Sequence, residues 1–269
     1  MLGGGVIGNH QGGKAHRAVG EIHRNADQGA DGIARLWDTL ASKGIAQTGS
    51  YKTEEDSTKP LVIDSPTGGG KLGLVTGTVS LNGMTAEHDW QVDRLREAGD
   101  PQHQSDIDRA VAKAKAAREQ GADVVAMAMH SVQEYIDYAD SWQVSEAHEL
   151  ADTGAFDVIY GAGCHCAQPI ENYNGTWIIY GLGNTVTVSA PASRIVNNQG
   201  VTARIQFAGL ESAATLDASV RLEASLRLRR LEGGVAVDVR ADAAGGQVGA
   251  QDQVVVVVAA EFGAVGDGG

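Results

Sequence analysis

The feature that most constrains the fold is an unbroken apolar run near the middle of the chain, VVAMAM at residues 124–129. Six consecutive apolar residues predict a strand buried on both faces, as in a covered parallel sheet. Helical patterns flank this strand at residues 105–118 and 141–153, and a shorter strand follows at residues 157–160. With the strand predicted at residues 72–80, these elements alternate as β-α-β-α-β, which predicts an α/β fold.

The region before this alternation predicts one helix and one hairpin. After Asp31, a candidate N-cap, apolar residues at positions 33, 36, 37 and 40 fall on one helical face, and Gly44 is a stop signal. Residues 61–64 and 72–80 are typical of strands, and the Gly-rich stretch 66–70 between them predicts a hairpin turn.

The composition changes along the chain and suggests three parts. We expect residues 1–17 to be a disordered Gly-rich leader and residues 18–208 to be the main domain. Residues 209–269 are rich in Ala, Gly, Val, Arg and Asp. This composition predicts either further strands or a low-complexity, disordered tail. An out-of-frame terminus is a third interpretation of that bias.

Charge limits the partners that the chain can bind. Lys and Arg number 21 against 34 Asp and Glu, a formal net charge of −13, which disfavours binding to nucleic acid or anionic lipid. The sequence shows neither a signal peptide nor an apolar run of about 18 residues, the minimum for a membrane helix. The oligomeric state is left open.

Two histidines follow predicted strands. His130 comes directly after the apolar run, and His165 lies a few residues past residues 157–160. Ligands of open α/β sheets collect beyond the carboxyl ends of the strands, so these imidazoles are candidate ligands for a divalent metal, with Asp27 or Glu134 as carboxylate partners. The alternative is that both are hydrogen-bonded loop histidines.

Other polar and sulfur-containing residues have simpler interpretations. Cys164 and Cys166 are too close in sequence for an ordinary disulfide with each other, and we expect them to fill space in a loop rather than to bind a soft metal. Glu146 and Glu149 are interpreted as part of a solvated helix face.

Three stretches carry a resemblance to a known family. They are GAGCHCAQPIE at residues 161–171, YNG at 173–175 and IIYGLGN at 178–184. This combination resembles the Gly-His-x-x-His-x-x-Gln-Pro loop, the Asn-Gly turn and the following strand of the bacterial capsule-synthesis (CapA, poly-γ-glutamate) family. DQGADGI at residues 27–33 and MHSVQEY at 129–135 resemble two further family segments, and the likeness extends over about residues 18–207.

The resemblance implies a four-layer α/β/β/α sandwich of the metallophosphatase type that lacks some N-terminal elements. It implies a centre for divalent Mn, Fe, Zn or Mg and a hydrolase or transferase activity on an anionic polymer or a small phosphorylated or γ-glutamyl substrate. The residues that match the family motifs are His130 and His165 as metal ligands, Glu134 and Asp27 as catalytic carboxylates, and Gln168 and Asn184 on the substrate side. The family's histidine before the D-x-G segment is missing in strict register, and a shift of one residue would supply His23 as a further metal ligand.

Several positions depart from the family pattern. Ala162 stands where the family loop has its first histidine, and Ser131 and Val132 replace a Trp-Gly pair. Three functions therefore stay open: an active metal-dependent enzyme, a pseudoenzyme or polymer-binding domain, and a truncated gene product without independent function. Relatives commonly work at or outside the membrane, whereas no signal or anchor is visible in this sequence.

Overall fold

The computed structural model describes residues 29–64, 70–81, 83–130, 133–186 and 202–207, together with strand backbone at 6–7, 17–18, 221–225, 230–231, 234–235, 254–258 and 261–262. The helices of these ranges are α1 (Gly29–Ser42), α2 (Glu54–Ser57), α3 (His103–Glu119), α4 (Ser141–Asp152) and a 3-10 helix (Asp89–Gln91). The strands are β1 (Val6–Ile7), β2 (Arg17–Ala18), β3 (Leu61–Asp64), β4 (Lys71–Thr78), β5 (Val124–His130), β6 (Val158–Ala162), β7 (Ile170–Tyr173), β8 (Thr176–Ile179), β9 (Asn184–Val186), β10 (Thr202–Phe207), β11 (Arg221–Ser225), β12 (Arg230–Leu231), β13 (Gly234–Val235), β14 (Val254–Val258) and β15 (Glu261–Phe262).

A six-stranded sheet in the order β3-β4-β5-β6-β8-β7 forms the centre of the molecule. Its four inner strands are mutually parallel, and the two edge strands, β3 and β7, are antiparallel to their neighbours. The apolar run at residues 124–129 lies in β5, a central strand, so the predicted α/β fold with a buried parallel strand is confirmed. The predicted β3–β4 hairpin is confirmed too, although its turn at residues 65–69 lies outside the described residues.

Helices α3 and α4 cover one face of this sheet. Val125, Met127 and Met129 of β5 belong to the same apolar cluster as the buried side chains of both helices. Two glycines of β4 permit the close packing on this face: a Cβ at Gly73 would lie 2.7 Å from the Ala117 Cβ, and a Cβ at Gly77 would lie 2.4 Å from the Leu95 Cγ. Any larger residue at either position would push neighbouring side chains away from the sheet.

The opposite face of the sheet carries a second apolar cluster. Its members come from alternate positions of the same strands, among them Val124 and Ala126 of β5, and it also contains Ala203 of β10. Strand β10 is the middle strand of a separate antiparallel sheet, β11-β10-β14, so a second sheet contacts the first at Ala203. The mixed α/β architecture is therefore established, while the complete four-layer arrangement stays a prediction.

Short strand pairs complete the description. Strands β1 and β2 pair antiparallel, as do β12 and β13, and β15 lies parallel to β9. The division of the chain at residues 17/18 and 208/209 stays a prediction. Within the described part of the chain, no helix combines the length and apolar character that a membrane crossing requires.

A buried ionic network holds the carboxyl end of β4. The Tyr51 hydroxyl donates to Asp93 Oδ2 at 2.6 Å, and Lys113 Nζ donates to the same hydroxyl at 2.8 Å and to Asp93 Oδ1. Burial lowers the pKa of the Lys113 ammonium against the opposing effect of the Asp93 carboxylate. The Asp93 carbonyl accepts from the backbone N–H of Thr78 at 3.0 Å, so this network fixes the strand end where the candidate site begins.

Candidate metal centre at the strand ends

Three residues line up across the carboxyl ends of β4, β5 and β6. Thr78 is the Cα partner of His130, and His130 is the Cα partner of Ala162. Cα-paired residues of parallel strands point to the same face, so the three side chains form one row on the face away from α3 and α4. We call Thr78, His130 and Ala162 the strand-end row.

The contact between Thr78 and His130 assigns the proton of one ring nitrogen. Thr78 Oγ1 donates to the Ser80 carbonyl at 2.9 Å and lies 3.2 Å from His130 Nδ1. A hydroxyl has one hydrogen, so Thr78 accepts in the second contact and His130 Nδ1 is the donor. In a neutral imidazole the lone pair is then on Nε2.

Different contacts hold the His165 ring, but they also place the proton on Nδ1. It is buried, at 7% exposure, and its Nδ1 donates to Asn184 Oδ1 at 2.9 Å. Its Nε2 faces Glu134 Oε1 at 3.9 Å, and the Tyr135 ring stacks on the imidazole with centroids 5.4 Å apart. The Asn184 carbonyl oxygen can only accept, so Nδ1 again carries the proton and a neutral ring has its lone pair on Nε2.

The backbone at His165 and Tyr135 adopts the left-handed conformation, which residues other than glycine rarely adopt. His165 has φ +58° and Tyr135 has φ +67°, both left-handed. The Tyr135 N–H donates to the Cys164 carbonyl at 2.8 Å, which joins the two segments. Strained backbone of this kind persists where surrounding contacts over-determine it, as they do at functional loops.

Close packing keeps the His165 loop in place. Both cysteines are buried and unbridged, as predicted, and Cys164 Sγ donates to the Cys166 carbonyl at 3.0 Å. A Cβ at Gly181 would lie 2.4 Å from Cys164 Sγ, so the connection between β8 and β9 approaches the loop where only glycine fits. Gln168, predicted on the substrate side, is buried and donates through Nε2 to the Tyr138 carbonyl at 2.7 Å.

The structure brings some of the predicted site residues together, and others lie outside the described residues. His130 is the last residue of β5, His165 lies shortly past the end of the adjacent strand β6, and Asn184 and Glu134 contact His165. Glu134 is well exposed, with 45% of its side chain accessible. His23 and Asp27 lie outside the described residues, so the set of ligands and catalytic carboxylates as a whole stays a prediction.

A second cluster, which the sequence did not predict, lies between α3 and α4. Among the described residues, His103, Glu146 and Glu149 are the group of three ligand residues whose donor atoms all lie within 4.8 Å of one another. His103 Nε2 is 3.0 Å from Glu149 Oε2, and His103 Nδ1 is 3.9 Å from Glu146 Oε2. We call these three residues the helix-side cluster.

The interpretation of Glu146 as part of a solvated face is wrong. Glu146 is 2% exposed, because it lies on the same stripe of α4 as the buried Gln143, Ala147 and Leu150. Burial raises the pKa of the Glu146 carboxyl to about 7, against the opposing effect of His103. The sequence signal that could have revealed this burial is the spacing of Glu146 from those neighbours along the helix.

His103 responds to the same surroundings. Burial lowers its pKa, but the Arg96 carbonyl, 2.6 Å from Nδ1, and the carboxylates of Glu149 and Glu146 outweigh that effect and raise it. Nδ1 donates to the carbonyl, which can only accept, and Nε2 therefore faces Glu149.

Comparison with known proteins identifies the family. Residues 23–189 match the family described as "Bacterial capsule synthesis protein PGA_cap". The chain is 45% identical over 65 residues to the PGA biosynthesis protein CapA of Bacillus subtilis, a match that covers 24% of this chain and 17% of that protein.

Two further relatives are probable polyglutamine synthesis accessory proteins from two strains of Mycobacterium tuberculosis. Each is 26% identical to the chain over 164 residues, which is 60% of this chain and 42% of the relative. The matched regions thus span well under two thirds of the relatives' length. Since the family match covers more than half of the sequence and contains the strand-end row and the His165 loop, the chain belongs to the bacterial capsule synthesis protein family.

Proposed function

We propose that the chain acts in the biosynthesis of capsule or poly-γ-glutamate polymer as a metal-dependent hydrolase or transferase on a phosphoester or γ-glutamyl substrate. The observation that carries this proposal is that two histidines at adjacent strand ends have the same hydrogen-bonding pattern at Nδ1. In both His130 and His165 a neighbouring oxygen accepts from Nδ1, so a neutral ring has its lone pair on Nε2. This is the usual state of a metal-ligating histidine.

The donor set fits a divalent transition metal. The imidazole nitrogens of His130 and His165 suit zinc, manganese or iron, and His23 and Asp27 would complete the set with a further imidazole and a carboxylate. When bound, such a metal polarises a phosphoryl or carbonyl oxygen and lowers the pKa of a coordinated water.

The other groups of the site support binding and proton transfer. Glu134 is exposed and 3.9 Å from the His165 imidazole, so its carboxylate can carry a proton to or from solvent. Arg94 lies beside the strand-end row, where its Nη2 donates to the Val79 carbonyl at 2.9 Å. Its half-buried guanidinium offers a positive charge to an anionic substrate, in a chain that is otherwise strongly acidic.

Metal analysis with matched histidine variants tests the proposal. Metal-free protein is loaded with manganese, iron or zinc, and bound metal is measured along with cleavage of phosphoester and γ-glutamyl substrates. We expect His130→Ala and His165→Ala to lose bound metal and activity, while His88→Ala, which removes an exposed histidine, retains both. Equal metal content and equal activity in all three variants would contradict the proposal.

A polymer-binding domain without catalysis is the second candidate, and Ala162 favours it. Ala162 occupies the strand-end row next to His130, at the position where the resembling family loop has a histidine, and its methyl group cannot bind a metal. In this case poly-γ-glutamate would bind to metal-free protein, and no added metal would produce turnover.

A further inference from the structure

The helix-side cluster has the composition of a cation site. His103 is the first residue of α3, and Glu146 and Glu149 lie one turn apart on α4, so two regular helices hold the three side chains. The cluster lies on the helix-covered side of the sheet, whereas the strand-end row lies on the opposite face. The two sets share no residue.

The buried carboxylate is the second observation that points to a ligand. Glu146 Oε1 has no hydrogen-bond partner among the described residues, and its Oε2 approaches His103 at 3.9 Å. A buried carboxylate oxygen without a partner is costly, so natural proteins normally supply a donor or a cation to it.

The local charge also favours a cation. Glu97, Asp106 and Glu149 all act electrostatically on Glu146 in the direction that disfavours its ionised form. Arg96 and Arg109 offset the Asp106 charge by ion pairs, but the Glu146 and Glu149 carboxylates face only the single imidazole of His103 within the cluster. A divalent cation would neutralise both carboxylates, which one protonated histidine cannot do.

The orientation of His103 matches that of a metal ligand. Nδ1 donates to the Arg96 backbone carbonyl, which leaves Nε2 on the side of Glu149, 3.0 Å from Oε2. A backbone carbonyl behind the imidazole is the common arrangement around protein-bound zinc. Two zinc ligand atoms in tetrahedral geometry lie about 3.4 Å apart. Small rotations of the three side chains would therefore bring their ligand atoms to the separations that zinc requires.

We propose that His103, Glu146 and Glu149 bind a divalent cation, with zinc the best match to one imidazole and two carboxylates. The cation links the start of α3 to α4 and is separate from the metal proposed at the strand ends. Access is from the Glu149 side, because 38% of that side chain is exposed.

Zinc titration of the metal-free full chain tests this proposal. Glu149→Gln removes one ligand charge at a partly exposed position, and Glu119→Gln makes the same change at the exposed far end of α3. Zinc equivalents and affinity are measured against a competing chromophoric chelator. We expect Glu149→Gln to weaken one zinc equivalent at least tenfold and Glu119→Gln to match the wild type.

Two further variants keep the outcome unambiguous. His103→Gln should lose the same zinc equivalent as Glu149→Gln, and zinc should raise the melting temperature of the wild type more than that of either variant. His165→Ala, titrated in parallel, should remove a different equivalent. If Glu149→Gln and Glu119→Gln bind zinc alike, the helix-side cluster is no zinc site, whatever His165→Ala does.

Discussion

The strand-end row with His165 and the helix-side cluster both combine histidine with carboxylate, but they are built in opposite ways. At the strand ends, His130 is the last residue of β5, whereas His165 and Glu134 lie in loops, in which His165 and Tyr135 have left-handed backbone and the Glu134 carboxylate is exposed. In the helix-side cluster the ligands come from two regular helices, and Glu146 is almost fully buried. A family motif marks the first arrangement, whereas the second carries no motif and is recognised from the packing of α3 and α4.

Burial has different consequences for the two carboxylates. The Glu134 side chain is 45% exposed, which agrees with the role in proton transfer that we propose for it. Burial raises the pKa of the Glu146 carboxyl to about 7, so without a cation this group keeps its proton over most of the acidic range. This difference in burial agrees with the two proposals, chemistry at the strand ends and a link between α3 and α4 at the helix-side cluster.

The largest effect should come from the packing that supports the strand-end site. In Gly161→Ala the new Cβ would lie 1.9 Å from the Tyr180 carbonyl oxygen, so β6 and residue 180 must separate. We expect the free energy of unfolding to fall by at least about 3 kcal/mol, measured by urea denaturation.

The matched control for that variant is Gly154→Asn. Gly154 has φ +65°, nothing lies within 4 Å of the position that a Cβ would take there, and asparagine tolerates this backbone conformation. We expect a loss of about 1 kcal/mol or less. Equal losses in the two variants would show that the contact with Tyr180 does not constrain the strand.

The second largest effect we expect is a pH dependence of stability that arises from Glu146 in the helix-side cluster. Without metal, the folded protein keeps the Glu146 proton up to about pH 7, whereas the unfolded chain releases it near the usual value of 4.5. The contribution to stability is therefore complete below about pH 4.5 and is lost as the pH rises to about 7. The loss is up to about 3 kcal/mol, since one pKa unit corresponds to about 1.4 kcal/mol.

Glu146→Gln isolates this contribution. The variant keeps the shape of the side chain but cannot titrate, so its unfolding free energy should fall less between pH 4.5 and 7 than that of the wild type, both measured with a chelator present. Glu119→Gln should retain the wild-type slope, because Glu119 is exposed. Identical slopes in all three proteins would refute the assignment to Glu146.

A smaller effect should follow from releasing the His165 ring. Asn184→Ala removes the acceptor of the Nδ1 proton and leaves the imidazole itself unchanged. We expect metal affinity at the strand ends to fall about 10- to 100-fold, as for other groups that orient a ligand histidine. Asn172→Ala, at an exposed position of β7, is the control, and calorimetry that finds both variants alike would contradict this role for Asn184.

The smallest effect we expect is a gain. Ala162→His places an imidazole in the strand-end row beside His130, at the family's ligand position. Metal affinity should rise about tenfold, roughly 1.4 kcal/mol, in the same calorimetric measurement. Unchanged affinity would show that the row does not point at the metal.

Periodicity and apolar runs were sufficient to predict the elements that carry the site. Helices α3 and α4 and strand β5 lie where these patterns placed them, within about two residues at each end. The histidines at the strand ends follow from the same reasoning, because carboxyl ends of parallel strands share one edge.

What the sequence did not reveal depends on contacts between distant segments. The pairing of Thr78 with His130 requires the strand register, and the burial of Glu146 depends on how α4 packs against α3 and the sheet. The contact of β10 with the central sheet at Ala203 was equally hidden, since alanine in a region of mixed composition carries no periodic signal.

Anomalous diffraction from crystals grown with manganese, and separately with zinc, tests the central claim most directly. We expect an anomalous peak within bonding distance of Nε2 of both His130 and His165, absent from crystals of His165→Ala. A zinc peak at His103 alone, with none at the strand ends, would contradict the proposed metal centre and leave the chain with only its helix-side site.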